Sequence, residues 1–184
     1  MRKVTLTKES TKDILESLLK RSPNNYGKFE STVAEILAKV KSEGDAALFA
    51  YTKEFDKAEV NKENIRVTEV EIQEAYDKID PALLEVIRKA LVNIRKYHEK
   101  QIQNSWFTSE TNGTMLGQKV TPLNRVGVYV PGGKAVYPSS VLMNIVPAKV
   151  AGVPNIVMTT PPGKDGKICA STLVAAKEAG ADEI

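Results

Sequence analysis

The segment from Arg125 to Ile184 leaves this chain little choice of architecture. Val126-Gly127-Val128-Tyr129-Val130 reads as a buried strand, Pro131-Gly132-Gly133 as a turn, and a serine-capped helix runs from about Ser140 to Ala151, closed by Gly152. A second strand, Asn155 to Thr160, leads through the breakers Pro161-Pro162-Gly163 into a helix near Ile168 to Ala179 closed by Gly180. A third strand begins at Glu183-Ile184. Strands separated by helices specify a parallel sheet, because parallel neighbours need a crossover where antiparallel ones need only a turn. The expectation is half of a doubly wound, Rossmann-like sheet, with any ligand at the carboxyl ends of its strands. The sequence stops where a strand starts, which reads as a truncated domain.

The residues before Pro122 read as helices. Ile14, Leu15, Leu18 and Leu19 give Thr7 to Lys20 an amphipathic stripe, ended by Ser22-Pro23. Phe29, Val33, Ile36, Leu37 and Val40 mark a second helix stopped by Gly44, and Asp45 caps a third whose inner face is Ala47, Leu48, Tyr51, Thr52 and Phe55. Ile65-Arg66-Val67 is a short strand before a capping box, Thr68 with Glu71. Asp80-Pro81 opens the strongest helix, five or six turns carrying Leu84, Ile87, Leu91, Ile94, Tyr97 and Ile102. A polar stretch from Asn104 to Asn124 follows, within which Gly113 to Val120 forms a hairpin or an edge strand. The implied organisation is an arm (1–22), a helix-rich part of a first domain (23–122) and the start of a β-α-β domain (123–184).

Composition excludes several function classes. Hydrophobic residues at 42% and charged ones at 27% suit a globular protein. The net charge of +3 is interleaved with no basic block, so neither nucleic acid nor membrane is an expected partner. A single cysteine excludes a disulfide framework, no apolar run spans a bilayer, and the start lacks a signal-peptide core, which points to the cytoplasm.

Tyr129 ends the first parallel strand beside the glycine turn, where its ring can stack on a cofactor or simply fill the sheet edge. Gly132 and Gly133, with Lys134 and the helix start at Ser139-Ser140, can admit a phosphate; a tight turn explains the same glycines, and no G-x-G-x-x-G occurs. His98, the single histidine, lacks a second ligand at metal spacing, so packing or hydrogen bonding in its helix is the better reading. Cys169 shows no activating partner and reads as a small buried hydrophobe.

The stretch Arg125-Val-Gly-Val-Tyr-Val-Pro-Gly-Gly-Lys-Ala-Val-Tyr-Pro-Ser-Ser140, with Gly117 to Asn124 before it and Val141 to Val153 after it, resembles the histidinol dehydrogenase family. Glu43-Gly-Asp-Ala-Ala-Leu-Phe-Ala-Tyr-Thr-Lys-Glu-Phe-Asp56 resembles the family's amino-terminal region. The resemblance runs from about residue 14 to the end, and members are more than twice as long. It implies an α/β fold like that of aldehyde dehydrogenases, an intertwined homodimer, and oxidation of L-histidinol through L-histidinal to L-histidine with NAD and zinc. It also implies an NAD contact at Tyr129, supported by Gly132 and Gly133. The zinc ligands and the glutamate-histidine pair that moves protons are expected beyond residue 184, leaving no catalytic or metal residue in this chain and no activity for it alone. Two other readings stay open: a non-catalytic nucleotide-binding or regulatory module, and a fragment of another aldehyde-dehydrogenase-like oxidoreductase.

Overall fold

The computed structural model describes residues 5, 7, 8, 10–12, 27–132 and 135–184. The stripe Ile14, Leu15, Leu18 and Leu19, the stop at Ser22-Pro23, and the turn residues Gly133 and Lys134 lie outside them. Contacts divide the chain into two compact units between Leu48 and Phe49.

In the first unit helix α1 (Gly27–Glu43) is stopped as the sequence dictates: Gly44 takes φ +61° and its N–H donates to Val40 O at 2.8 Å. The apolar stripe of α1 is open, with Phe29, Val33 and Leu37 exposed. Helix α2 (Asp45–Tyr51) has Asp45 as its first helical residue rather than as its cap, with Leu48 N–H donating to Gly44 O at 3.3 Å, and runs into one wide π-type turn (Thr52–Asp56), closed by the left-handed Lys57.

The second unit opens with two helices whose starts follow from their caps. Helix α3 (Glu69–Lys78) has the full capping box: Glu71 N–H donates to Thr68 Oγ1 at 3.2 Å and Thr68 N–H to Glu71 Oε2 at 2.8 Å. Helix α4 (Pro81–His98) begins on Asp80, whose carboxylate accepts from Ala82 N–H at 2.9 Å, and ends in a 3₁₀ turn (Glu99–Gln101). Leu84, Ile87, Leu91 and Ile94 face the core as the periodicity requires, whereas Tyr97 and Ile102, at and beyond the end of α4, are exposed. Ile65 to Val67 is not a strand: side chains of Asn61 and Asn64 hold a turn ahead of it, and Val67 makes one sheet-like bond, donating to Ile184 O at 2.9 Å.

The hairpin exists, but it takes its first strand, β1 (Trp106–Ser109), from the stretch read as polar linker. It pairs antiparallel with β2 (Met115–Gln118), all eight positions exposed. Then β3 (Arg125–Tyr129), α5 (Pro138–Val150), β4 (Asn155–Thr159) and α6 (Ala170–Ala179) follow in the expected order. Strands β3 and β4 are parallel, in register from Arg125 opposite Asn155 to Tyr129 opposite Thr159, and Glu183 bridges Val157 on the far side of β4. The α/β class read from the sequence is therefore the observed one.

One core joins these elements. Val130, Ile156 and Met158 from the sheet region meet Val141, Leu142, Ile145 and Val146 of α5 and Leu173, Val174 and Ala176 of α6, with Ala75 of α3, Ile79 at its end and Ile87 of α4 in the same cluster. Within this unit the described helices pack on the sheet face that carries Val126, Val128 and Val130. Strand β3 is consequently half-buried rather than buried, with Val126 and Val128 turned inward and Gly127 and Tyr129 exposed. Polar ties fasten α3 and α4 to α6: Tyr76 Oη donates to Glu178 Oε1 at 2.9 Å, Arg88 donates through Nε and Nη2 to the same carboxylate, and Lys177 pairs with Glu69.

Candidate functional site

The carboxyl ends of β3 and β4 converge on a cavity of about 240 Å³. Val130 extends the ladder beyond β3, its N–H donating to Thr159 O at 2.9 Å, so the chain arrives at Pro131 still aligned with β4. At Gly132 the backbone lies against the neighbouring loop. A Cβ there would stand 3.0 Å from both Pro161 O and Thr160 Oγ1, so a side chain would fit only if that loop gave by a few tenths of an ångström. Gly132, Thr160, Pro161, Cys169 and Thr172 all line the cavity.

Tyr129 is 61% exposed at the strand end, and its hydroxyl makes no hydrogen bond among the described residues. Tyr129 does not itself line the cavity; it stands at the strand end that leads to it, with its ring open to solvent. Gly133 and Lys134 lie outside the described residues.

The helix after this turn starts differently from expectation. Its cap is Tyr137, with Pro138 as first helical residue and no side-chain cap, so Ser139 and Ser140 lie inside the first turn. Proline sets the entry because its fixed φ suits the first helical position and its missing N–H is not needed there. The other end is as read: Gly152 takes φ +84°, and Val153 N–H donates back to Ala148 O at 3.1 Å.

Cys169 is exposed, contrary to the reading of a buried hydrophobe. It stands one residue before α6 as its cap, because the helix begins two residues later than its apolar pattern suggested. Its Sγ lies 3.5 Å from Ser171 Oγ. His98 ends α4, with Nδ1 2.6 Å from Gln101 Oε1 and its ring edge-on to Tyr97, the local hydrogen-bonding role expected of it. It also lines a separate cavity of about 350 Å³ with Pro122 and Pro147. Among the described residues no cluster of three or more histidine, cysteine, aspartate or glutamate side chains could hold a metal ion.

Electrostatics near this region serve assembly. The Arg88 guanidinium holds the Glu178 carboxyl below its ordinary range, and partial burial works against it. Partial burial, seconded by the bond to Glu178, pushes the Tyr76 phenol up to about 12. The Asp182 carboxyl is lowered first by the Ile156 N–H at 2.8 Å and then by Lys149, which pins the start of β4. Sequence reading missed Thr172 and Lys167 as cavity residues, because the loop from Pro161 to Ile168 brings them there and no local pattern announces it.

The family model described as histidinol dehydrogenase matches residues 19–184. A histidinol dehydrogenase of Heliobacterium mobile is 62% identical over 152 residues, covering 83% of this chain and 36% of that protein. One from Bacillus subtilis (strain 168) is 56% identical over 153 residues, covering 83% of this chain and 35% of its own length. A crystal structure of histidinol dehydrogenase from Elizabethkingia anophelis aligns with a TM-score of 0.76 at 36% identity, over 83% of this chain and 35% of that one. The chain thus spans about a third of the length of these relatives.

Proposed function

The chain belongs to the histidinol dehydrogenase family, and from that membership we propose that it forms the cofactor-facing part of an NAD- and zinc-dependent oxidoreductase that converts histidinol through histidinal to histidine. Tyr129 carries the reading: an exposed aromatic ring with a free hydroxyl, at the carboxyl end of a parallel strand, three residues before a glycine pressed against the next loop. In this role the Tyr129 ring stacks on a planar ring of the dinucleotide, and Gly132 keeps the crevice clear of a side chain. Gly133 is assigned the same supporting role. The bound cofactor supplies hydride acceptance; this chain's residues bind and orient it.

The donor set does not suit zinc, since the described residues gather no cluster able to hold it. No catalytic step is therefore drawn through zinc in this chain, and the reaction centre is assigned to sequence outside it. Alone, the 184-residue chain is inactive. We further assign the assembled protein to the cytoplasm as an intertwined homodimer without nucleic-acid or membrane partners; among the described residues no helix is long and apolar enough to cross a membrane.

The test has two arms. The purified chain with histidinol, NAD and zinc forms no NADH under conditions where a complete homologue does; turnover equal to that control would put the catalytic centre inside this chain. In a fluorescence titration with NADH, Tyr129→Ala weakens binding roughly fivefold through the lost stacking. Unchanged affinity in a folded variant removes the cofactor assignment.

A further inference from the structure

We infer that the cavity at the start of α6 is a binding site for a phosphate-type oxyanion, with the Thr172 hydroxyl as its buried donor. Among the described residues Thr172 is the one buried polar residue, at 5% exposure, and it lines the cavity. Its hydroxyl has no hydrogen-bond partner among the described residues, and it is not among the side-chain atoms sealed from solvent without one. The hydroxyl therefore opens onto the cavity, a donor held on an otherwise buried side chain that a ligand entering the cavity can engage in place of water.

A second observation gives the sign of the ligand. Helix α6 has ten residues and no side-chain cap, and the N–H groups of Ala170 and Ser171 make no hydrogen bond among the described residues. The residues that open this terminus, Cys169 and Thr172, are the ones on the cavity wall. The charged side chains on the wall, Lys167 and Asp165, bring one charge of each sign, and Asp165 Oδ1 accepts from the backbone N–H of Lys167 at 3.1 Å. The remaining bias is the positive end of the helix and the threonine hydroxyl, a donor set for oxygens carrying negative charge. A volume of about 240 Å³ accommodates a tetrahedral oxyanion with its waters. The oxyanion can arrive as free phosphate or as a phosphate of the dinucleotide; only the second source rests on the cofactor reading above.

Cys169 supplies the assay, because it is the single cysteine of the chain, exposed, and on the same wall. Alkylation by neutral iodoacetamide, followed by intact mass, is measured with rising inorganic phosphate, with NAD, and with sodium chloride at matched ionic strength. Phosphate slows alkylation of the wild type and of Thr172→Ser, while near-isosteric Thr172→Val, folded by circular dichroism, needs about tenfold more phosphate for the same protection. Equal protection by chloride, none by phosphate, or full protection in Thr172→Val overturns the site. Given phosphate protection, NAD protecting at lower concentration with the same dependence on Thr172 assigns the oxyanion to the dinucleotide, and NAD without effect assigns it to free phosphate. Phosphate protection that depends on Thr172 stands whether or not NADH binds, so failure of the cofactor reading and failure of this one give different results.

Discussion

Ile145 tests where the stability of this unit resides. It is fully buried on α5, in the cluster that joins that helix to the sheet, α4 and α6. Ile145→Ala removes three carbons. At about 0.8 kcal/mol for each buried methylene-sized group the transfer loss is about 2.4 kcal/mol, and the residual cavity raises it to about 3–4 kcal/mol. Ile145→Val, which removes one carbon, costs about 1 kcal/mol. A domain of this size is stable by about 5–15 kcal/mol, so the alanine variant remains folded but visibly weakened. Urea unfolding followed by far-ultraviolet circular dichroism gives the midpoints, compared at constant slope. Phe107→Ala in the hairpin is the control: the ring is larger but 70% exposed, and its removal costs less than about 0.5 kcal/mol. Should Phe107→Ala cost as much as Ile145→Ala, or Ile145→Ala less than about 1 kcal/mol, the core would not be the one described.

The carboxyls of Glu178 and Asp182 are held low by their partners, so their contribution is fully present above the ordinary carboxylate range and is lost as pH falls through and below it. Glu178→Gln lowers stability near neutrality and flattens this acid limb in urea midpoints measured against pH; an unchanged slope would refute the pairing. The Tyr76 phenol, raised from 10.0 to about 12, stabilises below its unfolded value and loses that effect as pH rises toward the folded one. Tyr76→Phe therefore removes alkaline sensitivity over that interval. Gly180 takes φ +93°, and a Cβ there would stand 3.0 Å from Lys149 Cε. Gly180→Ala costs about 1–2 kcal/mol in thermal or urea unfolding, mostly backbone strain because the lysine can swing aside; a neutral result would mean the helix end relaxes.

The features legible in the sequence are those decided within a few residues. The box at Thr68 and Glu71, the cap at Asp80-Pro81 and the glycine stops at 44, 152 and 180 each satisfy backbone groups locally, so spacing alone reveals them. The parallel pairing of β3 with β4 was legible because a helix between two β-rich runs permits little else. Strand β1 was not, because Trp106 to Ser109 is exposed at every position and carries no alternation of burial. Ile65 to Val67 misled for the opposite reason: a β-branched pattern whose neighbour supplies a single bond. At the candidate site Tyr129 and Gly132 were visible through the strand-to-turn change. Thr172 and the exposure of Cys169 depended on how the loop from Pro161 to Ile168 folds and on where α6 begins.

The fork between Arg88 and Glu178 joins residues 90 positions apart. On a ribosome adding about 5–20 residues per second, α4 therefore emerges roughly 5–20 s before the carboxylate that receives it. For that interval Leu84, Ile87, Leu91 and Ile94 have no α5 or α6 to cover them. Synthesis thus holds a sticky helical stub waiting for its sheet, and a nascent-chain holdase, or slow decoding just after α6, would act on the yield of this protein more than on its final stability.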